Sequence, residues 1–347
     1  MRLYQKNLNF TVLTCFLILF INVDSWAQDK PRLRHNQFQV GISPGIDNTN
    51  QNILLSSNFS FHLISGLTAS IHGLQISLLT NYTLYDVKGL QLSLVSNQIG
   101  ISKKHSAYDI KAFQGVQLSS VINKVDGNSV GIQASSINIT NGYFSGFQFG
   151  LINTLQRTAS GIQIGGFLNL AYSKNSLFQL GFINYSKEAG NNYQNTSYLF
   201  RDHCQIGLFN LSEKNYGFQI GLFNLSKNNN GVPIGLLNTN TSNFIAILAA
   251  NELTNTYLTI GTGSRYIVNR LSLGYNYAWN NEVDWSFGYG LEAQFYRTYT
   301  IPVFSVYHDI IYYNNSSTGL FDSGYFVSKF GISYAQDYID SRPLKTI

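Results

Sequence analysis

Gly217-Phe218-Gln219-Ile220-Gly221-Leu222-Phe223-Asn224 decides the fold, because the chain repeats it. Written G-h-Q-h-G-h-h-N, with h apolar, the unit recurs at every position in Gly146-Phe147-Gln148-Phe149-Gly150-Leu151-Ile152-Asn153. The copies around Gln179 to Asn184 and Gln205 to Asn210 lack only the first glycine, and Gly231 to Asn238 carries Pro233 in place of Gln. A longer variant doubles the small residue, as in Gly161-Ile162-Gln163 through Gly165-Gly166 to Asn169, and in Gly115-Val116-Gln117 through Ser119-Ser120 to Asn123. Gly131-Ile132-Gln133 opens a degraded copy, while Gly73-Leu74-Gln75 and Gly89-Leu90-Gln91 begin the series. These ten copies start 14 to 16 residues apart, except for two steps of 26 that carry polar insertions.

Within a copy, apolar residues alternate with Gly and Gln. Period two is the signature of a strand with one apolar and one small or polar face. Ser226-Lys227-Asn228-Asn229-Asn230 and similar links supply turn chemistry. Two architectures fit: a β-solenoid with one rung per copy, or a single outer-membrane barrel of about 16–20 strands with one strand per copy. Three features favour the solenoid. The motif always reads in one direction, so parallel stacking aligns Gln on Gln and Asn on Asn. The one-residue difference between Gly and Gly-Gly copies would flip the faces of a continuous strand, whereas a corner absorbs it. Each copy offers only about three alternating apolar positions, and a membrane strand needs ~9–11 residues.

After Asn238 the pattern changes. Thirteen of the 23 tyrosines lie between Tyr257 and Tyr338. Trp285, Phe287, Tyr289, Leu291, Ala293 and Phe295 alternate with Ser286, Gly288, Gly290, Glu292 and Gln294. That is the outer-membrane strand pattern, apolar outward and small or polar inward. Leu271 to Trp279, Pro302 to Tyr313 and Gly324 to Tyr334 repeat it, and Phe38–Ile42 and Asn58–Phe61 are candidate partners. A soluble antiparallel sheet with one buried face gives the same alternation. The expected organisation is therefore a signal peptide (1–27), N-terminal strands (28–65), a repeat array (66–250), an aromatic antiparallel sheet or small barrel (251–338) and a polar tail (339–347).

The first 27 residues fix the expected compartment. Arg2 and Lys6 precede the apolar run Phe10 to Val23, and Ser25-Trp26-Ala27 provides a small-x-small cleavage site. Without that leader the chain has 20 basic and 16 acidic residues, a net charge of +4. This is too weak for a nucleic-acid footprint. Only 11% of residues are charged and the mean hydropathy is −0.04, which speaks against disorder and against multiple helical spans. Cys204, the one cysteine after the leader, has no partner for a bridge and reads as a small buried apolar residue.

No catalytic constellation emerges. His35, His62, His72, His105, His203 and His308 show no metal-ligand spacing. Glu282 and Asp284 read as solvated turn acids. Glu292 faces either a lumen or the surface of a sheet. Gly261-Thr262-Gly263 lacks the lysine and the strand–helix context of a phosphate loop. The repeated Gln and Asn have a structural role as ladders; the functional reading makes their face a contact surface. The sequence thus predicts a non-enzymatic envelope protein with a structural or interaction role and no cofactor; the barrel alternative makes it an outer-membrane pore or transport protein.

The repeats, then Ala249-Ala250-Asn251-Glu252, then Trp285-Ser286-Phe287-Gly288-Tyr289-Gly290, occur in an order that resembles exported surface-repeat proteins of the Bacteroidetes. The resemblance covers about residues 37–296. The copies depart from that family's usual Ala-Gly pair by carrying Gly, Gly-Gly or Ser-Ser. The resemblance implies a repeat architecture and a place at the outer membrane or surface of a Gram-negative cell, with envelope components as partners, and no enzymatic activity. Neither a specific protein nor a glycan is singled out.

Overall fold

The computed structural model describes residues 34–44, 46–48, 55–100, 111–189, 203–239, 243–250, 254–264, 266–276, 285–296, 302–314 and 324–334. The leader, the polar tail, Glu282 and Asp284 lie outside these residues. The described residues are all-β, a β-solenoid array followed by an antiparallel sheet, and the chain divides into two compact units between Tyr143 and Phe144.

The first unit contains β1 (Arg34–Ser43), β2 (Ile46–Asp47), β3 (Leu55–His62), β4 (Ser65–Ser77), β5 (Thr80–Ser93), β6 (Ser96–Ile99), β7 (Lys111–Leu118), β8 (Ile122–Val125), β9 (Asn128–Ala134) and β10 (Ile137–Thr140). Each rung of the coil has two walls. One wall stacks β4, β5, β7 and β9 in parallel, with Gln75, Gln91, Gln117 and Gln133 in register. The other stacks β5, β6, β8 and β10 in parallel, with Asn81, Asn97, Asn123 and Asn138 in register. Parallel stacking already begins at β1 and β3, so Phe38–Ile42 and Asn58–Phe61 belong to rungs of the coil rather than to the aromatic sheet. β2 folds back antiparallel on β1 and covers part of its open edge.

The second unit contains β11 (Phe144–Leu155), β12 (Ala159–Ala189), β13 (Cys204–Ile206), β14 (Phe209–Asn215), β15 (Phe218–Ile220), β16 (Phe223–Asn229), β17 (Val232–Ile234) and β18 (Leu237–Asn238), which form rungs of the same kind. Gln148 pairs with Gln163, Gln179 with Gln205, and Gln205 with Gln219. Asn184, Asn210, Asn224 and Asn238 align likewise. The extra residue of the Gly165-Gly166 copy is absorbed by a register shift between Gly150 and Ile152. Because like stacks on like throughout, a barrel built from antiparallel repeat strands is excluded.

The first glycine is needed in the copies where it has a left-handed backbone, because successive rungs approach closely there. Gly89 has φ of +137°, and a Cβ there would overlap the Gly73 carbonyl oxygen. Gly89→Ala is therefore expected to cost at least about 2 kcal/mol, from left-handed strain and from separating two rungs. Thermal unfolding of the variant, followed by circular dichroism, checks this.

An antiparallel meander completes the second unit: β19 (Asn243–Ala249), β20 (Thr256–Gly263), β21 (Ile267–Tyr275), β22 (Trp285–Tyr296), β23 (Pro302–Asn314) and β24 (Tyr325–Tyr334). It begins eight residues ahead of the expected boundary at 251. Neighbouring strands pair in sequence order. It also caps the last solenoid rung. Pro233 ends the Gln column, since it has no side-chain amide to extend the ladder. Asn269 of β21 donates to the Pro233 carbonyl at 2.7 Å and accepts from the Gly235 N–H at 3.0 Å. One side-chain amide thus closes the rung as another strand would.

Candidate functional surface

All the Gln and Asn repeat positions face the interior. Every repeat Gln from Gln75 to Gln219 and every repeat Asn from Asn153 to Asn224 is 0% exposed. They therefore form no contact surface, contrary to the functional reading of the sequence. The interior is narrow enough that one wall's Gln reaches the opposite wall's hydroxyl. Gln219 Nε2 donates to Gln205 Oε1 at 2.8 Å and to Ser212 Oγ at 3.4 Å. Gln219 Oε1 accepts from Ser226 Oγ at 3.0 Å and Asn215 Nδ2 at 3.3 Å. The amide's full donor and acceptor capacity is met. In the first unit Gln91 bonds Gln75 and Thr83 in the same way.

The Asn column ties both walls together. Asn210 Nδ2 donates to Asn224 Oδ1 and to the Ile220 carbonyl, both at 2.9 Å. Asn184 and Asn224 repeat this geometry with the next rung. Ladders of this kind make a fully buried polar interior tolerable, because few donors or acceptors lose water without replacement. Apolar residues stack in their own columns beside the amides: Ile71, Val87, Ile99, Phe113 and Val125 in one unit, and Phe144, Leu155, Ala159, Ala171 and Leu177 in the other.

With the amides inside, the apolar residues point outward. Phe147, Phe149, Leu180, Phe182, Leu208, Ile220 and Leu222 are all exposed. Aromatics stack from rung to rung, Phe209 on Phe223 with ring centroids 4.9 Å apart. A shallow groove of about 370 Å³ follows the second glycine column between Ile164, Leu180 and Ile206 on one side and Phe182 and Leu208 on the other. Further along each rung the outer face turns charged within two residues, from Leu211 to Glu213 and from Leu225 to Lys227. Ion pairs link this rim, Lys214–Glu188 at 2.9 Å and Lys227–Glu213 at 3.3 Å.

The antiparallel sheet has the same inverted polarity. One face presents Leu258, Ile260, Leu273, Phe287, Leu291, Phe295, Val306 and Ile310 to the exterior. Its polar departures include His308 and Ser328, which bond to each other at 2.7 Å, and Thr262 and Asn269, which bond to Asn238, Pro233 and Gly235 of the last rung. The opposite face buries Thr259, Ser272, Ser286, Gln294 and Ser305. Glu292 lies there too, paired rather than free: Arg270 Nη1 donates to it at 2.6 Å, and Arg270 Nε donates to Asp309 at 3.1 Å. The Arg270 guanidinium rests 4.3 Å over the Tyr307 ring. Aromatics gather at both strand ends. Tyr275 pairs with Trp285, and Tyr313 with Tyr325, at one end; Phe295 pairs with Phe304 at the other.

Other singled-out residues are packed. His62 Nδ1 lies 3.2 Å from Ser60 Oγ in the interior. His72 meets Asp86 at 3.2 Å. His203 replaces the first glycine of its copy and is buried, with its ring nitrogens unpaired among the described residues. Burial pushes its pKa down to about 3. Cys204 is half-buried on the outer wall and its thiol is pushed up by burial. Among the described residues no group of three His, Cys, Asp or Glu could hold a metal ion.

What the sequence reading missed is which face turns inward. A signal was present. The Gln column never drifts to Lys or Glu over nine copies, whereas the flanking positions vary among Phe, Ile, Leu, Val, Ala and Cys. Uniform polarity marks an interior of fixed geometry, and variable apolar size marks a looser exterior. In comparisons with known proteins, no family model, no curated protein and no solved structure matches the chain.

Proposed function

We propose that this protein is a non-enzymatic component of a Gram-negative cell envelope, exported by its leader and held at the outer membrane through its apolar outer faces. The observation that carries the reading is the polarity of the C-terminal sheet: aliphatic outside, largely polar inside around a buried cluster of Tyr257, Ile311 and Tyr313, aromatic at both strand ends. In water such a face is a liability; against lipid it is the expected arrangement. From Phe287 to Phe295 the outward face of β22 is apolar, about 27 Å along the strand at ~3.4 Å per residue. That approaches the ~25 Å lipid-facing band of outer-membrane strands. The repeat array then serves as a rigid structural or interaction module. Its apolar columns and charged rim suit a membrane interface.

Cell fractionation tests this. The chain expressed with its leader is expected to sediment with outer membranes and to be released by detergent but not by high salt. Recovery in the soluble fraction without detergent would overturn the reading.

A further inference from the structure

We propose that the C-terminal sheet closes with a second copy of this chain, β24 of each protomer pairing with β19 of its partner to give a twelve-stranded antiparallel barrel. This rests on the lipid-facing reading above. Among the described residues no strand lies beyond β19 or β24. A sheet facing lipid must satisfy the backbone groups of both edges, and closure is the way strands do so. The edge strands are also where the apolar residues are barest. Phe244, Leu248, Phe326, Phe330 and Ile332 are 70–74% exposed, against 36–58% for outward residues such as Ile260, Leu273 and Tyr275.

The occupant follows from strand parity and chain chemistry. Six strands in an antiparallel meander leave the first and the last running in opposite directions. A two-fold axis along the barrel therefore sets β24 antiparallel to the partner's β19 while both copies enter the membrane the same way. Pairing β24 with β24 would point the two copies in opposite directions across the membrane, which export from one side does not allow. Residues 335–347 carry Asp337, Asp340, Arg342, Pro343 and Lys345, a sequence without an alternating apolar run. The remaining strands are committed to parallel rungs. Two copies give twelve strands, within the even-numbered range of such barrels, and six alone fall below the smallest, about eight.

The test uses the full mature chain in detergent with Cys204→Ser, adding Ala246→Cys in β19, Ser328→Cys in β24, or both. A short bismaleimide is applied and products are separated under denaturing conditions. Covalent doubling of mass only when both cysteines are present, with a two-copy mass by light scattering of the unmodified chain, is expected. Doubling with Ser328→Cys or Ala246→Cys alone, a link confined to one chain, or a one-copy mass without linkage would overturn the proposal. A membrane-bound chain of one-copy mass refutes only this closure; a chain soluble without detergent refutes the envelope reading as well.

Discussion

Gln219→Leu is expected to destabilise the repeat array by about 3 kcal/mol, although it places a leucine in a fully buried position. Leucine approximates the volume of glutamine, so the cost comes from hydrogen bonds rather than from a cavity. Gln205 Oε1 loses its donor from the next rung, and Ser226 and Asn215 lose an acceptor. A buried group left without its partner costs ~1–3 kcal/mol. Ser226 keeps its bond to Ser212 and Asn215 keeps Asn229, which holds the total near the low end of that sum. Denaturant unfolding of the mature chain in detergent measures it. A neutral or stabilising outcome would mean that the interior does not depend on the ladder.

His203 gives the second large effect, and its sign is set by burial. The neutral imidazole is accommodated inside the coil, while the charged form is penalised, so the folded pKa falls from 6.5 to about 3. An unfolded chain binds the proton below about 6.5 and the folded chain does not. The contribution is thus fully present above about pH 6.5 and is lost as the pH falls toward 3. At ~1.4 kcal/mol per pH unit, the loss reaches about 2 kcal/mol at pH 5. Leu177, one residue before the Phe178–Cys204 register pair, holds the same place in the preceding rung and shows that leucine fits the column. His203→Leu is accordingly expected to flatten the fall in stability between pH 7.5 and pH 5 by that amount. Equal pH profiles for the two chains would contradict the burial of this ring.

Much of the architecture was legible from residue order. A motif that always reads one way, with Gln and Asn at constant positions, calls for parallel rungs, and Gln205 over Gln219 realises it. The alternation Trp285 to Phe295 likewise announced a long two-faced strand. The assignment of faces was not legible in the same manner. Period two defines two faces but does not say which one turns inward, and the usual rule buries the apolar one. Here the coil is too thin for that rule to govern, since its walls are bridged by single side chains from Gln219 to Ser212 and Ser226. The cap was also out of reach. Asn269 lies 36 residues from Pro233, and nothing local connects them. His203, in contrast, stood out as a ring where other copies have glycine, and the structure gives that departure a physical consequence.

The fold depends on inverted polarity, with amides inside and aliphatics outside. Adjacent residues on one short strand test it most directly: Gln219, fully buried, and Ile220, 39% exposed. Unfolding free energies of Gln219→Leu and Ile220→Gln, measured side by side in detergent, are predicted to differ by about 2 kcal/mol or more, with the apolar-to-polar change the milder one. The reverse order, Ile220→Gln crippling the fold and Gln219→Leu sparing it, would contradict the account.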